Sequence, residues 1–366
     1  MRIAAAVSRA DTPAPQIEDV DLEAPLPDEV RVRIVATGIC HTDLHCHAGR
    51  GMPIPRPIVL GHEGAGIVEE VGTGVAGLAV GDHVVLSGAS CGLCPSCRSA
   101  RPTYCRDAMR LAFGGQRVDG TSPLSQNGER LAGSFFAQSS FATHAIVPER
   151  TAVKVPRDVP LHLLGPLGCG IITGAGSVIE AFRLRPGQSI AVFGVGSVGL
   201  AAIMAARIAG AARIVAVDID RVRLDLAQEF GATEVVPSDA NVDAALREIV
   251  PDGYDYSFNT TTVPAVYQAA VACLGMEGTA GFVTRPMGDY ALDMARVLAG
   301  GRKIQGILGG SANPQTFIPL MIDLWRQGRF PFDRLIQTFD FADIGTAWAE
   351  CHAGTAIKPV LMMEGR

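Results

Sequence analysis

The sequence lacks an apolar run of the length that a bilayer-spanning helix needs, which is about 20 residues. It also lacks an excess of positive charge, because 31 Lys and Arg are outnumbered by 37 Asp and Glu. An acidic chain with a pI of about 5.8 carries no electrostatic footprint for nucleic acid or for an anionic lipid surface. We therefore expect no membrane-spanning segment and no nucleic-acid partner.

A secretion signal is missing as well. The apolar start, Met1–Val7, is too short for the core of a signal peptide and leads directly into Ser8 and Arg9. The chain is large and its nine cysteines are odd in number, unlike small secreted proteins built on disulfides. We expect a cytoplasmic protein whose cysteines are reduced and free to bind metal.

The length and the local patterns predict two domains. A chain of 366 residues exceeds one ordinary hydrophobic core. Short Val- and Ile-rich segments separated by Gly and Pro are frequent in about the first 160 residues, for example Val30–Val35, Gly66–Val68 and Asp82–Leu86. Short strands with frequent turns indicate an irregular, mostly antiparallel β-domain.

From Ile171 onward, apolar strands alternate with helical patterns. The predicted strands are Ser189–Phe193, Arg213–Val217 and Tyr254–Phe258, and the predicted helices are Val198–Ile208, Asp220–Phe230, Asn241–Ile249 and Pro264–Leu274. This alternation predicts an α/β domain with a doubly wound parallel sheet over residues 171–306. A helix at Pro314–Gln327 and a strand at Ile357–Met362 follow.

A glycine-rich motif follows the first of these strands. It reads Gly194-Val195-Gly196-Ser197-Val198-Gly199, opens the next helix, and is followed nineteen residues later by Asp218 at the end of the second strand. The glycines permit a tight turn and a close approach to a pyrophosphate at the helix N-terminus, and the carboxylate binds ribose hydroxyls. A glycine turn in another α/β domain is the alternative. Because Asp218 would repel the 2′-phosphate of NADP, we predict NAD even with Arg221 and Arg223 nearby.

Four cysteines fall within fifteen residues, at Cys91, Cys94, Cys97 and Cys105. Soft thiolates at such short spacings predict one tetrahedral zinc ion. A ferredoxin cluster shares the first two spacings but continues with three residues and Cys-Pro, whereas here seven residues intervene and Arg106 follows. A nucleic-acid-binding zinc ribbon is disfavoured by the acidic charge. With all four ligands supplied by protein, this site is predicted to be structural.

A second set of metal-binding residue types is dispersed over Cys40-His41-Thr42-Asp43-Leu44-His45, Gly61-His62-Glu63-Gly64 and Gly168-Cys169-Gly170. Together with the cysteine loop and the glycine motif, in this order, these stretches resemble the zinc-containing medium-chain alcohol dehydrogenase family over nearly the whole chain. The resemblance implies a GroES-like catalytic domain at 1–170, completed by 307–366, and a Rossmann NAD-binding domain at 171–306. It also implies two zinc ions per chain.

The resemblance assigns roles residue by residue. It implies that Cys40, His62 and Cys169 bind a catalytic zinc with one position left open for substrate. It further implies that Glu63 approaches the metal during ligand exchange, that Asp43 orients His62, and that Thr42 and His45 relay the alcohol proton. The cofactor contacts that it implies beyond the glycine motif and Asp218 are His41, Thr173, Arg223 and Lys358.

The same resemblance implies the reaction, which is reversible oxidation of a primary alcohol to the aldehyde with hydride transfer to NAD. Four stretches resemble the bacterial aryl-alcohol (benzyl alcohol) dehydrogenase branch most: Phe113-Gly114-Gly115, Asp119-Gly120, Ser139-Ser140-Phe141-Ala142 and Gly328–Leu335. An aryl or allylic alcohol is therefore expected. Aliphatic or terpenoid alcohols and a thiol-adduct (formaldehyde) substrate are the alternatives.

Two other protein classes are weighed against this interpretation. A zinc-free quinone or enone reductase of the same fold would lack the ligand set, and a non-enzymatic zinc-binding structural protein has no feature in its favour. Relatives pair through the edge strands of their cofactor domains, so a homodimer or homotetramer is expected. Cys46, Cys273 and Cys351 are expected to be buried apolar residues without a metal.

Overall fold

The computed structural model describes residues 1–363, and it divides into two compact units. The first unit comprises residues 1–169, 313–320 and the described residues from 333 onward, and the second comprises residues 170–312 and 321–332. The first boundary lies at Cys169 and Gly170, beside the predicted one. The helix near the C-terminus is shared between the units, because its residues from Met321 onward belong to the second unit.

Eighteen strands are present within the described residues. In chain order they are β1 (Arg2–Ser8), β2 (Gln16–Leu22), β3 (Glu29–Gly38), β4 (Ile58–Val59), β5 (Gly64–Val71), β6 (His83–Leu86), β7 (Leu124–Gln126), β8 (Glu129–Leu131), β9 (His144–Pro148), β10 (Ala152–Val155), β11 (Ser189–Phe193), β12 (Arg213–Asp218), β13 (Glu234–Pro237), β14 (Tyr254–Asn259), β15 (Leu274–Phe282), β16 (Lys303–Gly306), β17 (Ile336–Asp340) and β18 (Lys358–Met362).

Twelve α-helices connect or flank these strands in the same part of the chain. They are α1 (His41–His47), α2 (Pro95–Arg98), α3 (Ala108–Phe113), α4 (Leu161–Leu164), α5 (Gly170–Gly176), α6 (Ser197–Ala209), α7 (Arg221–Phe230), α8 (Val242–Ile249), α9 (Pro264–Ala272), α10 (Met294–Ala299), α11 (Pro314–Arg326) and α12 (Ile344–Ala353). Helix α5 continues as a π-helix over Ser177–Phe182.

The first unit contains two sheets. One has the strand order β4-β1-β2-β7-β8, and the other has the order β10-β6-β5-β3-β18-β17 with β9 also paired to β3. All these pairs are antiparallel except β17 with β18. The long strand β3 is central because its alternate residues Val30, Val32 and Ile34 are buried in the core of this unit. The predicted irregular β-domain is confirmed.

The second unit is built on one parallel sheet with the order β13-β12-β11-β14-β15-β16. This order reverses direction between β11 and β14, which is the doubly wound Rossmann arrangement. Helix α6 is rich in small residues and ends at Gly210, whose φ of 81° lets it adopt the left-handed cap. Helix α7 is capped by the preceding Asp220, whose carboxylate accepts a hydrogen bond from the Val222 amide at 2.9 Å. The predicted Rossmann fold is confirmed.

Most of the predicted elements are present with ends shifted by one or two residues. Among the elements of the second unit, the prediction omitted β13, β15, β16, α5 and α10, which are short or rich in glycine and charged residues. Within residues 1–363 no single helix is long and apolar enough to cross a membrane, and the consecutive helices Leu161–Gly168 and Gly170–Phe182 reach that length only together. The three cysteines predicted to be apolar residues, Cys46, Cys273 and Cys351, are indeed buried.

Candidate metal and dinucleotide sites

The four clustered cysteines come together in the first unit. Cys94 directly precedes helix α2, and the four sulfur atoms all lie within 4.8 Å of one another. The Cys94 and Cys97 sulfurs are 3.5 Å apart, and those of Cys91 and Cys97 are 3.9 Å apart. Four thiolates around one tetrahedral zinc lie about 3.8 Å apart, given a Zn–S distance of about 2.3 Å. The cluster therefore has the size that such an ion requires.

Backbone amides donate to three of these sulfurs and favour their thiolate form, whereas burial raises the pKa of Cys97 to about 12 and also raises that of Cys105. The amides of Cys91 and Asp107 donate to the Cys105 sulfur at 3.2 and 3.4 Å, and the Cys94 amide donates to the Cys91 sulfur at 3.4 Å. Backbone hydrogen bonds from Arg106 and Cys97 lower the pKa of the Cys94 thiol to about 6. Thiolate, rather than thiol, is the form that binds metal.

A second cluster in the same unit joins Cys40, His62, Glu63 and Cys169, whose ligand atoms also lie within 4.8 Å of one another. Cys40 directly precedes α1, His62 and Glu63 directly precede β5, and Cys169 follows a 3₁₀ turn at Gly165–Gly168. Three segments that are far apart in sequence thus deliver two thiols, one imidazole and one carboxylate. One histidine and two thiolates form a known catalytic zinc ligand set.

Asp43 holds two of these segments together. Its Oδ1 accepts hydrogen bonds from the Gly61 amide and from His62 Nδ1, both at 3.1 Å, and its Oδ2 accepts from the Cys40 amide at 3.0 Å. Asp43 is fully buried, so the carboxylate has no water to compete for these donors. A proton on Nδ1 leaves Nε2 of the neutral ring as the atom with a free lone pair.

The environment of the cluster suits a metal. Nε2 of His62 is buried and has no hydrogen-bond partner within residues 1–363. A hydrogen bond with Cys169 lowers the pKa of the Cys40 thiol well below its usual value and raises the pKa of Cys169. Burial alone would lower the pKa of His62, but the Asp43 carboxylate outweighs it and raises the pKa well above its usual value. A buried, unpartnered nitrogen beside a thiolate is costly unless a cation lies between them.

Glu63 is held by a buried lysine. Lys358 Nζ lies 2.9 Å from both carboxylate oxygens of Glu63 and 3.3 Å from the Ile39 carbonyl oxygen. Both side chains are buried, and burial raises the pKa of Glu63 to about 7 although Lys358 opposes this. Gly38 leaves room for the carboxylate, because a Cβ there would lie 2.1 Å from Glu63 Oε2.

The predicted proton relay lies on or beside α1. The Thr42 hydroxyl is 3.8 Å from the Cys40 sulfur, so it stands next to the metal-binding cluster. The rings of His41 and His45 meet edge-on with centroids 6.3 Å apart, and His41 is exposed. The relay role of Thr42 and His45 and the pyrophosphate contacts of His41 and Lys358 stay predictions.

The glycine motif of the second unit has the predicted geometry. Gly194 has a φ of 82°, and a Cβ there would lie 2.6 Å from the Thr260 hydroxyl. A Cβ on Gly199 would lie 2.0 Å from the Gly194 carbonyl oxygen, so this glycine allows the helix to approach the strand. A Cβ on Gly196 would meet nothing within 4 Å, so this backbone borders open space at the N-terminus of α6. Such a helix end binds phosphate groups.

Asp218 ends β12 beside this turn. Its Oδ2 accepts a hydrogen bond from the Val195 amide at 2.7 Å, and its Oδ1 accepts from the Asp220 amide at 2.9 Å. The two nearby arginines face other carboxylates, because Arg221 pairs with Asp225 at 2.9 Å and Arg223 lies 3.7 Å from Asp220. Thr173, whose carbonyl accepts a hydrogen bond from Ser177, and the partly exposed Val198 belong to the same unit. Their cofactor contacts stay predictions.

Sequence reasoning missed three contributors to the second cluster. They are the Glu63–Lys358 pair, the amide of Gln138, which donates to the His62 carbonyl oxygen at 3.0 Å, and the rings of Phe135 and Phe136 beside His62. No local pattern could have found them, since each contact joins segments more than 70 residues apart in sequence.

Comparison with known proteins identifies the family of the chain. Residues 26–157 match the alcohol dehydrogenase GroES-like domain family, and residues 197–326 match the zinc-binding dehydrogenase family. Geraniol dehydrogenase from Castellaniella defragrans is 46% identical over 351 residues, covering 94% of each chain.

Two solved structures are similar over almost their full length. An alcohol dehydrogenase zinc-binding domain protein from Burkholderia ambifaria is 48% identical with a TM-score of 0.96 and complete coverage of both chains. Benzyl alcohol dehydrogenase from Acinetobacter calcoaceticus is 41% identical with a TM-score of 0.95, covering 99% of each chain. The chain belongs to the zinc-containing medium-chain alcohol dehydrogenase family and is an oxidoreductase that acts on alcohols.

Proposed function

We propose that the protein oxidises an aryl or allylic primary alcohol to the aldehyde, reversibly, with hydride transfer to NAD and with two zinc ions per chain. The observation that carries this proposal is the cluster of Cys40, His62 and Cys169, in which the buried Nε2 of His62 has no hydrogen-bond partner among the described residues. The second zinc would be held by the four-cysteine cluster, which leaves no position for substrate and stabilises the fold.

The residues around the first cluster have distinct tasks. When bound there, zinc supplies Lewis-acid polarisation that lowers the pKa of an alcohol hydroxyl. Asp43 keeps the proton on His62 Nδ1, so that the imidazole presents Nε2 to the ion. The Thr42 hydroxyl accepts the substrate's hydroxyl proton by a hydrogen bond, and His45 carries that proton on toward solvent.

The relay has its own test. Replacing His45 with Gln removes a group that can bind and release the proton, so turnover should fall most at low pH, where hydroxide is scarce. The measurement is kcat as a function of pH for the wild type and for His45→Gln. An unchanged pH profile would remove His45 from the relay.

The geometry of the second unit supports NAD over NADP. Asp218 is held in place by two backbone amides at the tip of β12, where an adenosine ribose binds in Rossmann folds. Both neighbouring arginines already lie against carboxylates, so neither is available to neutralise a 2′-phosphate without breaking an ion pair. A preference for NADP above tenfold in kcat/KM would overturn this assignment.

The relatives support an activated primary alcohol. Geraniol and benzyl alcohol, the substrates in the names of two relatives, share a CH2OH group attached to an sp² carbon. Oxidation of such an alcohol gives a conjugated aldehyde. A terpenoid alcohol is therefore the favoured alternative within the same chemical class, ahead of simple aliphatic alcohols and of a thiol adduct.

Matched substrate pairs test this proposal. Initial rates are measured with NAD+ and NADP+ for cinnamyl alcohol against 3-phenylpropanol and for geraniol against citronellol, since each pair differs only in the double bond beside the carbinol. Benzyl alcohol, ethanol and a formaldehyde–glutathione mixture complete the panel. We expect each unsaturated member to exceed its saturated partner at least tenfold in kcat/KM.

Metal analysis separates the proposal from its rivals. Two zinc ions per chain are expected, whereas one would favour a purely structural role and none a zinc-free reductase. Cys169→Ser should lose one zinc and all turnover while it retains NAD binding, because its position lies outside the glycine motif. Absent turnover across the panel with two zinc ions bound would refute the substrate class and leave the fold assignment intact.

We also propose that two copies pair through the second unit. Strand β16 lies at one edge of the parallel sheet, and Ile304 within it is 41% exposed. Met276, Met294 and Leu298 of the same unit are 74%, 62% and 84% exposed, and an interface between two copies would cover such apolar side chains. Leu298→Glu should lower the mass that light scattering measures toward that of one chain, and an unchanged mass would refute this interface.

A reducing location is the last part of the proposal. All nine cysteines are free thiols, and six of them belong to the two metal-binding clusters. Thiolate ligands persist where thiols stay reduced, so a cytoplasmic enzyme is the favoured interpretation.

A further inference from the structure

A strained segment lies against the metal-ligand histidine. Four residues within Ser134–Ser139 adopt left-handed backbone conformations although none is glycine: their φ values are 62° at Ser134, 52° at Phe136, 60° at Ala137 and 50° at Ser139. Side chains with a Cβ rarely adopt this region, and such conformations persist only where surrounding contacts impose them. Clusters of them occur at functional sites.

Hydrogen bonds tie this segment to the chain around His62. Ser139 Oγ accepts from the Phe135 amide at 2.8 Å and donates to the Val59 carbonyl oxygen at 2.6 Å. Gln138 Nε2 donates to the His62 carbonyl oxygen at 3.0 Å, and its Oε1 accepts from the Gly64 amide at 3.1 Å. The segment is therefore bonded to residues on both sides of the ligand.

These bonds place one aromatic ring on the face of the imidazole. The Phe136 ring is stacked on His62 with centroids 4.5 Å apart and planes inclined by 24°. The Phe135 ring meets the same imidazole edge-on, at 5.6 Å and 76°. With an ordinary right-handed backbone, Phe136 would point elsewhere, because φ sets the direction of the Cα–Cβ bond.

The stacking supplies a restraint that the hydrogen bond of Asp43 lacks. A single hydrogen bond at Nδ1 anchors one edge of the imidazole but lets the ring tilt about that contact. A ring packed on its face resists that tilt, which would move Nε2 out of line with the Cys40 and Cys169 sulfurs. We propose that Phe136 is a positioning residue for the catalytic metal, held on His62 by the strained segment 134–139.

This inference rests on the proposed metal site, and its test separates the two. Zinc release to a colorimetric chelator is followed over time for the wild type and for Phe136→Ala. Cys40→Ser should lack the zinc of the catalytic site and Cys94→Ser the zinc of the structural site, so the two variants show which part of the time course belongs to which site. We expect Phe136→Ala to release the catalytic zinc at least tenfold faster and the structural zinc at the wild-type rate, because loss of a group that orients a ligand costs 10- to 100-fold in metal affinity.

Two further variants distinguish ring stacking from mere filling of space. Phe136→Tyr keeps the stacked ring and should release zinc at nearly the wild-type rate. Phe136→Leu keeps most of the volume without the ring and should resemble Phe136→Ala. If Phe136→Ala fails to fold, the comparison of Phe136→Leu with Phe136→Tyr still tests the proposal. Equal rates of zinc release from these two variants would overturn it.

Phe113→Ala is the matched control. The Phe113 ring contacts those of Phe135 and Phe136, at 5.9 and 5.1 Å, whereas its own ring makes no stacking contact with His62. Loss of the same side chain at this position should change zinc release much less than loss at Phe136. Equal acceleration in the two variants would indicate general loosening of the aromatic cluster and would overturn the proposal.

Replacing the zinc of the catalytic site with cobalt gives a visible absorption spectrum, which is a measurement independent of activity. A tilted imidazole changes the ligand field, so Phe136→Ala should shift the cobalt bands while Phe136→Tyr leaves them in place. If Phe136 only contacts the substrate, Phe136→Ala should raise KM and leave the cobalt spectrum and the rate of zinc release unchanged. That result would overturn the proposal. If the wild type and Cys40→Ser release the same amount of zinc, the catalytic site holds no zinc. That result would overturn the proposed function together with this proposal.

Discussion

Asp43 is the residue whose loss should damage the candidate active site most without removing a ligand. Its carboxylate accepts three hydrogen bonds in a fully buried position, from the Cys40 amide, the Gly61 amide and His62 Nδ1. Asp43→Ala leaves all three donors without an acceptor. Asp43→Asn keeps one carbonyl oxygen but turns an NH2 group toward at least one of them.

The size of the effect follows from these contacts. A buried donor left without its acceptor costs about 1 to 3 kcal/mol, and hydrogen bonds to a charged acceptor lie at the upper end. His62 can change its tautomer, so the two amides dominate and the losses are not additive. We expect Asp43→Ala to lower the free energy of unfolding of the first unit by about 3 to 5 kcal/mol, and Asp43→Asn by about 1 to 3 kcal/mol.

Fluorescence can report on this unit alone. The chain has two tryptophans, of which Trp348 is buried in the core of the first unit while Trp325 belongs to the second. Urea unfolding of the Asp43 variants in a Trp325→Phe background therefore follows the first unit. Adding Cys169→Ser removes one metal ligand and separates the contribution of Asp43 to the fold from its contribution to zinc retention.

One result would refute this reasoning. If Asp43→Ala in the Trp325→Phe, Cys169→Ser background unfolds within about 0.5 kcal/mol of its parent, the three hydrogen bonds contribute nothing to the fold. A full complement of two zinc ions in Asp43→Ala alone would likewise contradict its role in orienting His62. Zinc content by mass spectrometry and the urea midpoint decide both points.

Three further predictions concern the other sites. Cys94→Ser should lose one zinc ion and lower the melting temperature while the second zinc stays bound, and calorimetry with metal analysis that finds neither change would contradict a structural role. Asp218→Ala should lower kcat/KM for NAD+ and raise it for NADP+, shifting the ratio at least tenfold, and an unchanged ratio would remove this carboxylate from cofactor selection. Gly38→Ala should destabilise the first unit by about 1 to 3 kcal/mol, since its Cβ would lie 2.1 Å from Glu63 Oε2. Gly88→Ala, whose Cβ would meet nothing within 4 Å, is the matched control, and equal urea midpoints for the two would refute the steric argument.

Local patterns in the sequence predicted the secondary structure of the second unit well. Strand β11 and helices α6 and α7 have the expected positions because apolar periodicity and glycine or aspartate caps act within a few residues. Strands β15 and β16 were not predicted, because Leu274–Phe282 carries four glycine or charged residues and Lys303–Gly306 is mostly exposed at the sheet edge. Pairing with neighbouring strands, rather than local preference, makes these segments extended.

The sequence by itself determined the four-cysteine cluster, because its ligands lie within fifteen residues and only a short loop has to close. It also determined the turn at Gly194–Gly199, where the needed freedom of φ belongs to the glycines themselves. The meeting of Cys40, His62 and Cys169 could be expected only by resemblance, and the tertiary structure decided it. The tertiary structure alone revealed the Glu63–Lys358 pair, the full set of three hydrogen bonds of Asp43 and the left-handed backbone of Phe136. Each depends on contacts between segments that are distant in sequence. Because these contacts form only when the chain folds, no local sequence pattern predicts them.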